Sequence, residues 1–147
     1  DDVQPAAANF VARPQAGWSV DAEAVASAMN TPDHQVINAL SEAQFSGTGG
    51  AHYGRPGHIP GSLNVPAAWM FEPDSMVWRS RDELRALFAR CGVAQHGERV
   101  IAYCGGGIAA SVLAFALRWC GLAPAQLYDN SLLEWSADPR RPMALGQ

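Results

Sequence analysis

One cysteine directly precedes a glycine-rich turn, in the segment RVIAYCGGGIAAS (99–111). An apolar stretch typical of a buried strand leads into Cys104, and three glycines then lead into a helix of small residues. Unpaired N–H groups at a helix N-terminus carry partial positive charge, so they stabilise a thiolate or a bound anion. A cysteine placed there can have a lowered pKa and can react as a thiolate at neutral pH. The pattern predicts a sulfur nucleophile at Cys104.

The same glycines permit a second interpretation, a dinucleotide-binding turn. Gly105, Gly107 and Ala110 satisfy the G-x-G-x-x-A pattern after a strand, and Asp129 follows the next strand, where a ribose-binding acid belongs. This pattern is weak on its own, and too little chain follows Asp129 to complete such a domain. Dinucleotide binding therefore stays as an alternative to the nucleophile.

A third interpretation makes Cys104 a buried core residue, the role that free cysteine often has. We assign that role to Cys91 and Cys120, because each lies at a helix end just before a glycine. The cysteine count is odd and contains no CxxC pair, which fits a reducing, cytoplasmic compartment better than an extracellular one. The four histidines lack the paired spacing of a zinc site, so we expect no metal.

Composition limits the remaining function classes. The 147 residues suit one domain with its own core, and the net charge of −4 without a basic run argues against nucleic-acid or membrane-surface binding. No apolar stretch is long enough for a membrane span, and no signal peptide is visible. Because the sequence begins with Asp1 rather than Met, we expect a processed product or a domain of a longer protein. Residues 1–15 are expected to form an extended lead-in or linker remnant, and 16–147 the folded domain.

Helical and strand patterns alternate along the chain, which predicts an α/β fold with a mainly parallel sheet. The predicted strands are HQVINAL, SLNVP, RVIAY and AQLYD, and the predicted helices are WSVDAEAVASAM, SRDELRALFARCG and IAASVLAFALRWC. Ser19 is the expected N-cap of the first helix, and Ser80 and Glu83 form a capping box in the second. Ligands of such sheets bind beyond the carboxyl ends of the strands, where Cys104 is predicted to lie.

Three motifs occur in the order and spacing of a rhodanese-like domain. They are GHIPGSLNVP (57–66), VIAYCGGGIAAS (100–111) and LYDNSLLEWSADPRRPM (127–143). The resemblance covers about residues 15–143 and is closest to the second, catalytic domain of tandem-domain thiosulfate/3-mercaptopyruvate sulfurtransferases. It implies a five-stranded, mainly parallel sheet flanked by helices on both faces, and no cofactor. It also implies transfer of sulfane sulfur from a small sulfur-containing donor to a thiol or cyanide-like acceptor.

The resemblance assigns a persulfide-forming role to Cys104 and sulfur binding to the main-chain amides that follow it. Those amides belong to Gly105, Gly106, Gly107, Ile108, Ala109 and Ala110. Related phosphatases close a larger loop with an arginine, and Ala110 stands at that position here, so phosphoryl transfer is not expected. The loop resembles that of 3-mercaptopyruvate sulfurtransferases, although Ala109 lacks their threonine hydroxyl.

The long glycine-rich loop SGTGGAHYGRPGHIPGS (46–62) supplies further candidates. Arg55 is our candidate anion-binding residue, and a solvated surface arginine is the alternative. His58 is expected to brace the loop by hydrogen bonding rather than to transfer protons. His52 and Tyr53 either line the entrance or form ordinary loop surface.

Departures from the family pattern leave a rival function open. No cation follows Cys104 and no hydroxyl ends the loop, which favours a catalytically weak rhodanese-like binding module. The retained cysteine and the intact glycine loop favour the enzyme. Asn130 replaces a glycine of the family, and we expect it to tolerate positive φ. Because tandem relatives build their active site between two domains, a preceding rhodanese-like domain is an expected partner.

Overall fold

The structure, a computed structural model, describes residues 6–13, 16–51, 53–93 and 99–146. The strands are β1 (His34–Asn38), β2 (Leu63–Asn64), β3 (Arg99–Tyr103) and β4 (Ala125–Leu127). The helices are α1 (Ala22–Ala28), α2 (Glu42–Ser46), α3 (Arg81–Arg90), α4 (Ile108–Trp119), α5 (Ser131–Trp135) and a short 3-10 helix (Ala67–Met70). Within these ranges, no helix combines the length and the apolar character needed to traverse a bilayer.

The strands form one parallel sheet in the order β2-β1-β3-β4. Asn38 lies opposite Tyr103, so β1 and β3 end at the same edge of the sheet. The parallel α/β architecture is confirmed, but the prediction of five strands is wrong for the described residues. Beside β4 the chain forms only the single bridge Ser19–Leu127. On its C-terminal side the segment cannot extend further, because the N-cap of α1 is Asp21.

Local capping decides where the helices begin. The predicted N-cap of α1, Ser19, is wrong, because Ser19 is held in the bridge to β4. Asp21 is the N-cap, and its carboxylate accepts a hydrogen bond from the Ala24 N–H at 2.9 Å. The capping box of α3 is confirmed, with Ser80 and Glu83 each accepting from the other's main chain.

Helices flank the sheet as predicted. Helix α4 packs against β3, β4 and the 3-10 helix, whereas α1 packs against β1 and α5. The strands are rich in buried apolar side chains, as expected when helices cover a parallel sheet. The largest fully buried side chains include Trp135, Tyr103, Tyr128, Phe88 and Ile37. The core therefore reaches the sheet edge at which β3 ends.

Tyr103, the last residue of β3, ties the strand to the GHIPGS segment. Its phenolic oxygen accepts a hydrogen bond from the Ile59 N–H at 3.0 Å and lies 2.8 Å from the Ser62 Oγ. The Ser62 hydroxyl donates to the Ile59 carbonyl at 2.6 Å, which leaves the tyrosine O–H to donate to Ser62. Burial raises the pKa of Tyr103 to about 12, so the phenol stays protonated over the physiological range.

Tyr103→Phe should destabilise the fold, because it leaves the buried Ile59 N–H without an acceptor. We expect a loss of about 1–3 kcal/mol in the free energy of unfolding, measured by urea denaturation. Tyr128→Phe is the matched control, since the Tyr128 hydroxyl donates to the exposed Glu134 carboxylate, which water can serve instead. The control should lose less than about 1 kcal/mol, and equal losses would contradict the proposed role of the Tyr103 hydroxyl.

Candidate active site

Cys104 follows β3 at the carboxyl edge of the sheet and is 2% exposed. Its main chain is fixed by the turn that leads into α5. The Cys104 N–H donates to the Ser131 Oγ at 3.0 Å, and the Cys104 carbonyl accepts from the Leu132 N–H at 3.2 Å. The next carbonyl, that of Gly105, accepts from the Leu133 N–H at 2.9 Å. These bonds hold the cysteine and the first residue of the loop in one position relative to α5.

The loop amides after Cys104 are not used by the fold. No described residue accepts a hydrogen bond from the N–H groups of Gly105 to Ala110, and the first bond into α4 runs from the Ser111 N–H to the Gly107 carbonyl at 2.9 Å. Gly107, the N-cap of α4, has φ +88°, a conformation that favours glycine. A row of free donors at the start of a twelve-residue helix suits an anion.

Two of the loop glycines are required by their surroundings. A Cβ at Gly105 would lie 2.2 Å from the Tyr53 Cζ, so the tyrosine ring rests directly on the loop. A Cβ at Gly107 would lie 2.2 Å from the Asp129 Oδ1 and 3.0 Å from the Asp129 carbonyl oxygen. The loop is therefore enclosed by the 46–62 segment on one side and by the turn after β4 on the other.

Ser131 is a positioning residue that the sequence reasoning missed. It is fully buried, and its Oγ accepts from the Cys104 N–H while donating to the Tyr128 carbonyl at 2.7 Å. Ser131 also adopts φ +52°, whereas Asn130 has φ −63°. The prediction of positive φ at Asn130 is therefore wrong by one residue. The signal that could have identified Ser131 is its place in a turn directly after a strand neighbouring that of the nucleophile.

A family model described as the Rhodanese-like domain matches residues 21–138. The chain belongs to the rhodanese-like family. The 3-mercaptopyruvate sulfurtransferase of Escherichia coli K12 is 33% identical over 139 residues, which cover 92% of this chain and 47% of that protein. The mitochondrial thiosulfate/3-mercaptopyruvate sulfurtransferase 1 of Arabidopsis thaliana is 32% identical over 133 residues, covering 89% of this chain and 34% of that protein. The rhodanese-like chain thus spans about a third to a half of the length of these relatives.

Solved structures share the fold. The anaerobic ergothioneine biosynthesis enzyme of Chlorobium limicola has a TM-score of 0.78 at 21% identity, over 88% of this chain and 32% of that chain. An EanB structure that holds a cysteine persulfide with ergothioneine has a TM-score of 0.79 at 21% identity and the same coverage. The family assignment overturns the dinucleotide alternative, because the glycine pattern belongs to a rhodanese-like loop.

Arg55 is engaged by the fold of this rhodanese-like domain. Its Nε donates to the Ser136 carbonyl, and its Nη2 donates to the carbonyls of Asp138 and Arg141, all at 2.9 Å. The alternative of a solvated surface arginine is therefore wrong. The anion-binding role stays a prediction, and these three contacts weigh against it, because they tie the guanidinium to the C-terminal segment.

His58 braces the loop, as predicted. The ring is buried, its Nδ1 lies 2.8 Å from the Phe45 carbonyl oxygen, and it stacks on the Phe45 ring at a centroid distance of 3.6 Å. The His58 main chain exchanges both hydrogen bonds with Ala144. Tyr53 lies at the loop, whereas the prediction for His52 falls outside the described residues.

The other cysteines have a different setting. Cys120 is 1% exposed, which confirms its core assignment, and Cys91 is half-buried at the end of α3. Burial is the main cause that raises the pKa of both thiols, and nearby arginines only partly offset it. Both thiols are therefore neutral at physiological pH.

Gly107→Ala should damage the loop, because it strains a positive φ and drives a Cβ into Asp129. We expect a loss of at least about 1–2 kcal/mol in the free energy of unfolding, read from chemical denaturation. The control Gly106→Ala has no positive φ, and its Cβ meets only the end of the exposed Leu133 side chain at 3.0 Å. That variant should change stability by less than about 0.5 kcal/mol. The proposed geometry is contradicted if the two variants behave alike.

Proposed function

We propose that this chain is a sulfurtransferase domain that moves sulfane sulfur from a donor to a thiophilic acceptor through a persulfide on Cys104. The observation that carries the proposal is the row of N–H groups from Gly105 to Ala110, which have no acceptor among the described residues and directly follow the cysteine. The names of the relatives support the same reaction class. Thiosulfate and 3-mercaptopyruvate are the candidate donors.

The first half-reaction loads the cysteine. The Cys104 thiolate attacks the sulfane sulfur of the donor, so a new S–S bond forms at Cys104. The donor's bond to that sulfur breaks at the same time, and its electron pair leaves with sulfite when thiosulfate is the donor. The loop amides stabilise negative charge on the attacking sulfur and then on the terminal sulfur of the persulfide.

The second half-reaction unloads the cysteine. A thiolate or cyanide attacks the terminal sulfur, the S–S bond to Cys104 breaks, and its electron pair returns to Cys104 as the thiolate. No oxidant or reductant is consumed, because sulfur is transferred with its electrons balanced in both steps. The loop serves both half-reactions, since sulfur at this position is negative before and after transfer.

Two further proposals concern a neighbouring domain and the cellular compartment. Because the chain spans less than half of the E. coli relative, we propose that a second rhodanese-like domain precedes it in the full protein. The three free cysteines favour a cytoplasmic, reducing setting.

Incubation with thiosulfate or 3-mercaptopyruvate should add one sulfur atom to the protein, as read by intact mass. The adduct should disappear on reduction with dithiothreitol and should be absent in Cys104→Ser, because Cys104 is the cysteine that directly precedes the loop amides without an acceptor among the described residues. Cys91→Ser is the matched control and should load like the unmodified chain. If Cys104 accepts sulfur from neither donor nor from a small organic persulfide, the chain is a rhodanese-like binding module instead.

Thiol alkylation should separate Cys104 from the other two cysteines by rate. Burial raises the pKa of Cys91 and Cys120, so their labelling by iodoacetamide should increase only above the pH range of an ordinary cysteine. At neutral pH Cys104 should be labelled faster than either, because in the proposal the loop amides stabilise negative charge on its sulfur. Peptide mass spectrometry after timed labelling measures each site, and equal labelling rates at all three would remove the claim of an activated Cys104.

A further inference from the structure

Tyr53 is the side chain that covers the start of the catalytic loop. Three ring atoms at the phenol end, Cζ, Cε1 and Cε2, lie 2.2–2.4 Å from the position a Cβ would take on Gly105. The ring is half-buried and packs against the core, so it is part of the site wall rather than free surface. The phenol end therefore lies beside the residue that follows the nucleophile.

The Tyr53 hydroxyl has no hydrogen-bond partner among the described residues. The main chain that carries the ring is nevertheless held firmly. The Tyr53 carbonyl accepts from the Ser136 Oγ at 2.5 Å, and the adjoining Gly54 packs so closely on Ser136 that a Cβ there would lie 2.1 Å from that oxygen. Arg55 adds its three carbonyl contacts in the same segment. The Tyr53 hydroxyl is thus carried beside the loop on a fixed support and has no partner in the described part of the chain.

The other groups near the loop are poorly suited to donate a hydrogen bond to the leaving group of a sulfur donor. Ile108 and Leu133 are apolar and exposed, at 83% and 59%, and Leu133 approaches Gly106. Asp129 is an exposed carboxylate against Gly107, and it repels a developing anion. The loop amides are directed to the sulfur of Cys104 in the proposed function. A leaving group on the far side of the transferred sulfur needs a separate hydrogen-bond donor.

We propose that the Tyr53 hydroxyl is this donor, and that it suits the site to organic persulfides, whose leaving group is a basic thiolate. The inference rests on the proposed function. The Cys104 thiolate attacks the outer sulfur of R–S–SH, the Cys104 S–S bond forms, and the donor's S–S bond breaks with its electron pair on R–S⁻. Tyr53 donates a hydrogen bond to that sulfur, and water supplies the proton after release. The apolar rim of Ile108 and Leu133 accommodates the organic group R.

The test compares Tyr53→Phe with the unmodified chain, using two donors with different leaving groups. Cysteine persulfide releases a basic thiolate, whereas toluenethiosulfonate releases a weakly basic sulfinate whose charge is shared by two oxygens. The rate of one-sulfur loading on Cys104 is measured by rapid quench and intact mass. The phenylalanine ring keeps its contact with Gly105, and a thermal unfolding midpoint within a few degrees of the unmodified chain shows that the fold is retained.

Tyr53→Phe should load about tenfold more slowly from cysteine persulfide, the effect expected for loss of one hydrogen bond to a charged sulfur. Loading from toluenethiosulfonate should change less than about twofold, because a weakly basic leaving group gains little from that bond. Unchanged rates with both donors, or an equal loss with both, would overturn the assignment to the leaving group. Failure of the unmodified chain to load from either donor would contradict the proposed function itself, and this inference with it.

Discussion

The site depends on the unpaired main-chain N–H groups that follow Cys104. The first turn of α4 leaves its amides without intrahelical acceptors, and no described residue outside the helix accepts a hydrogen bond from them. A sulfur anion placed there gains hydrogen bonds and the favourable end of the helix dipole together. The interaction needs no side-chain cation, which is why a loop of glycine, isoleucine and alanine is sufficient. Gly107 makes the geometry possible through its positive φ.

The rest of the fold holds that loop in place. Parallel pairing brings the ends of β1 and β3 to one sheet edge, and the Tyr103 hydroxyl binds the GHIPGS segment to the same edge. On the other side, the Ser131 Oγ accepts a hydrogen bond from the Cys104 N–H and fixes the start of the loop relative to α5. Each contact is made by main chain or by a fully buried side chain. Contacts of this kind leave little freedom, so the fold holds the main chain of the cysteine in one position.

Neither Arg55 nor Asp129 adds a free positive charge beside the loop. The guanidinium of Arg55 donates hydrogen bonds to main-chain carbonyls, and the carboxylate of Asp129 lies against Gly107. The exposed rim instead contains apolar groups, Ile108 and Leu133. A donor that brings an apolar portion and little charge fits this rim, and the Tyr53 hydroxyl offers it one polar contact.

The sequence by itself determined the α/β class, the positions of the strands and the capping box at Ser80, and it predicted a nucleophile at Cys104. These features follow from periodicity and from chemistry confined to a few neighbouring residues. The tertiary structure alone decided that Arg55 binds carbonyls more than 80 residues away, that Ser131 takes the Cys104 N–H, and that Tyr53 covers Gly105. Where a fifth strand was expected, the structure forms one bridge at Ser19. Each of these outcomes depends on which distant segments meet in space, and local patterns carry no information about that.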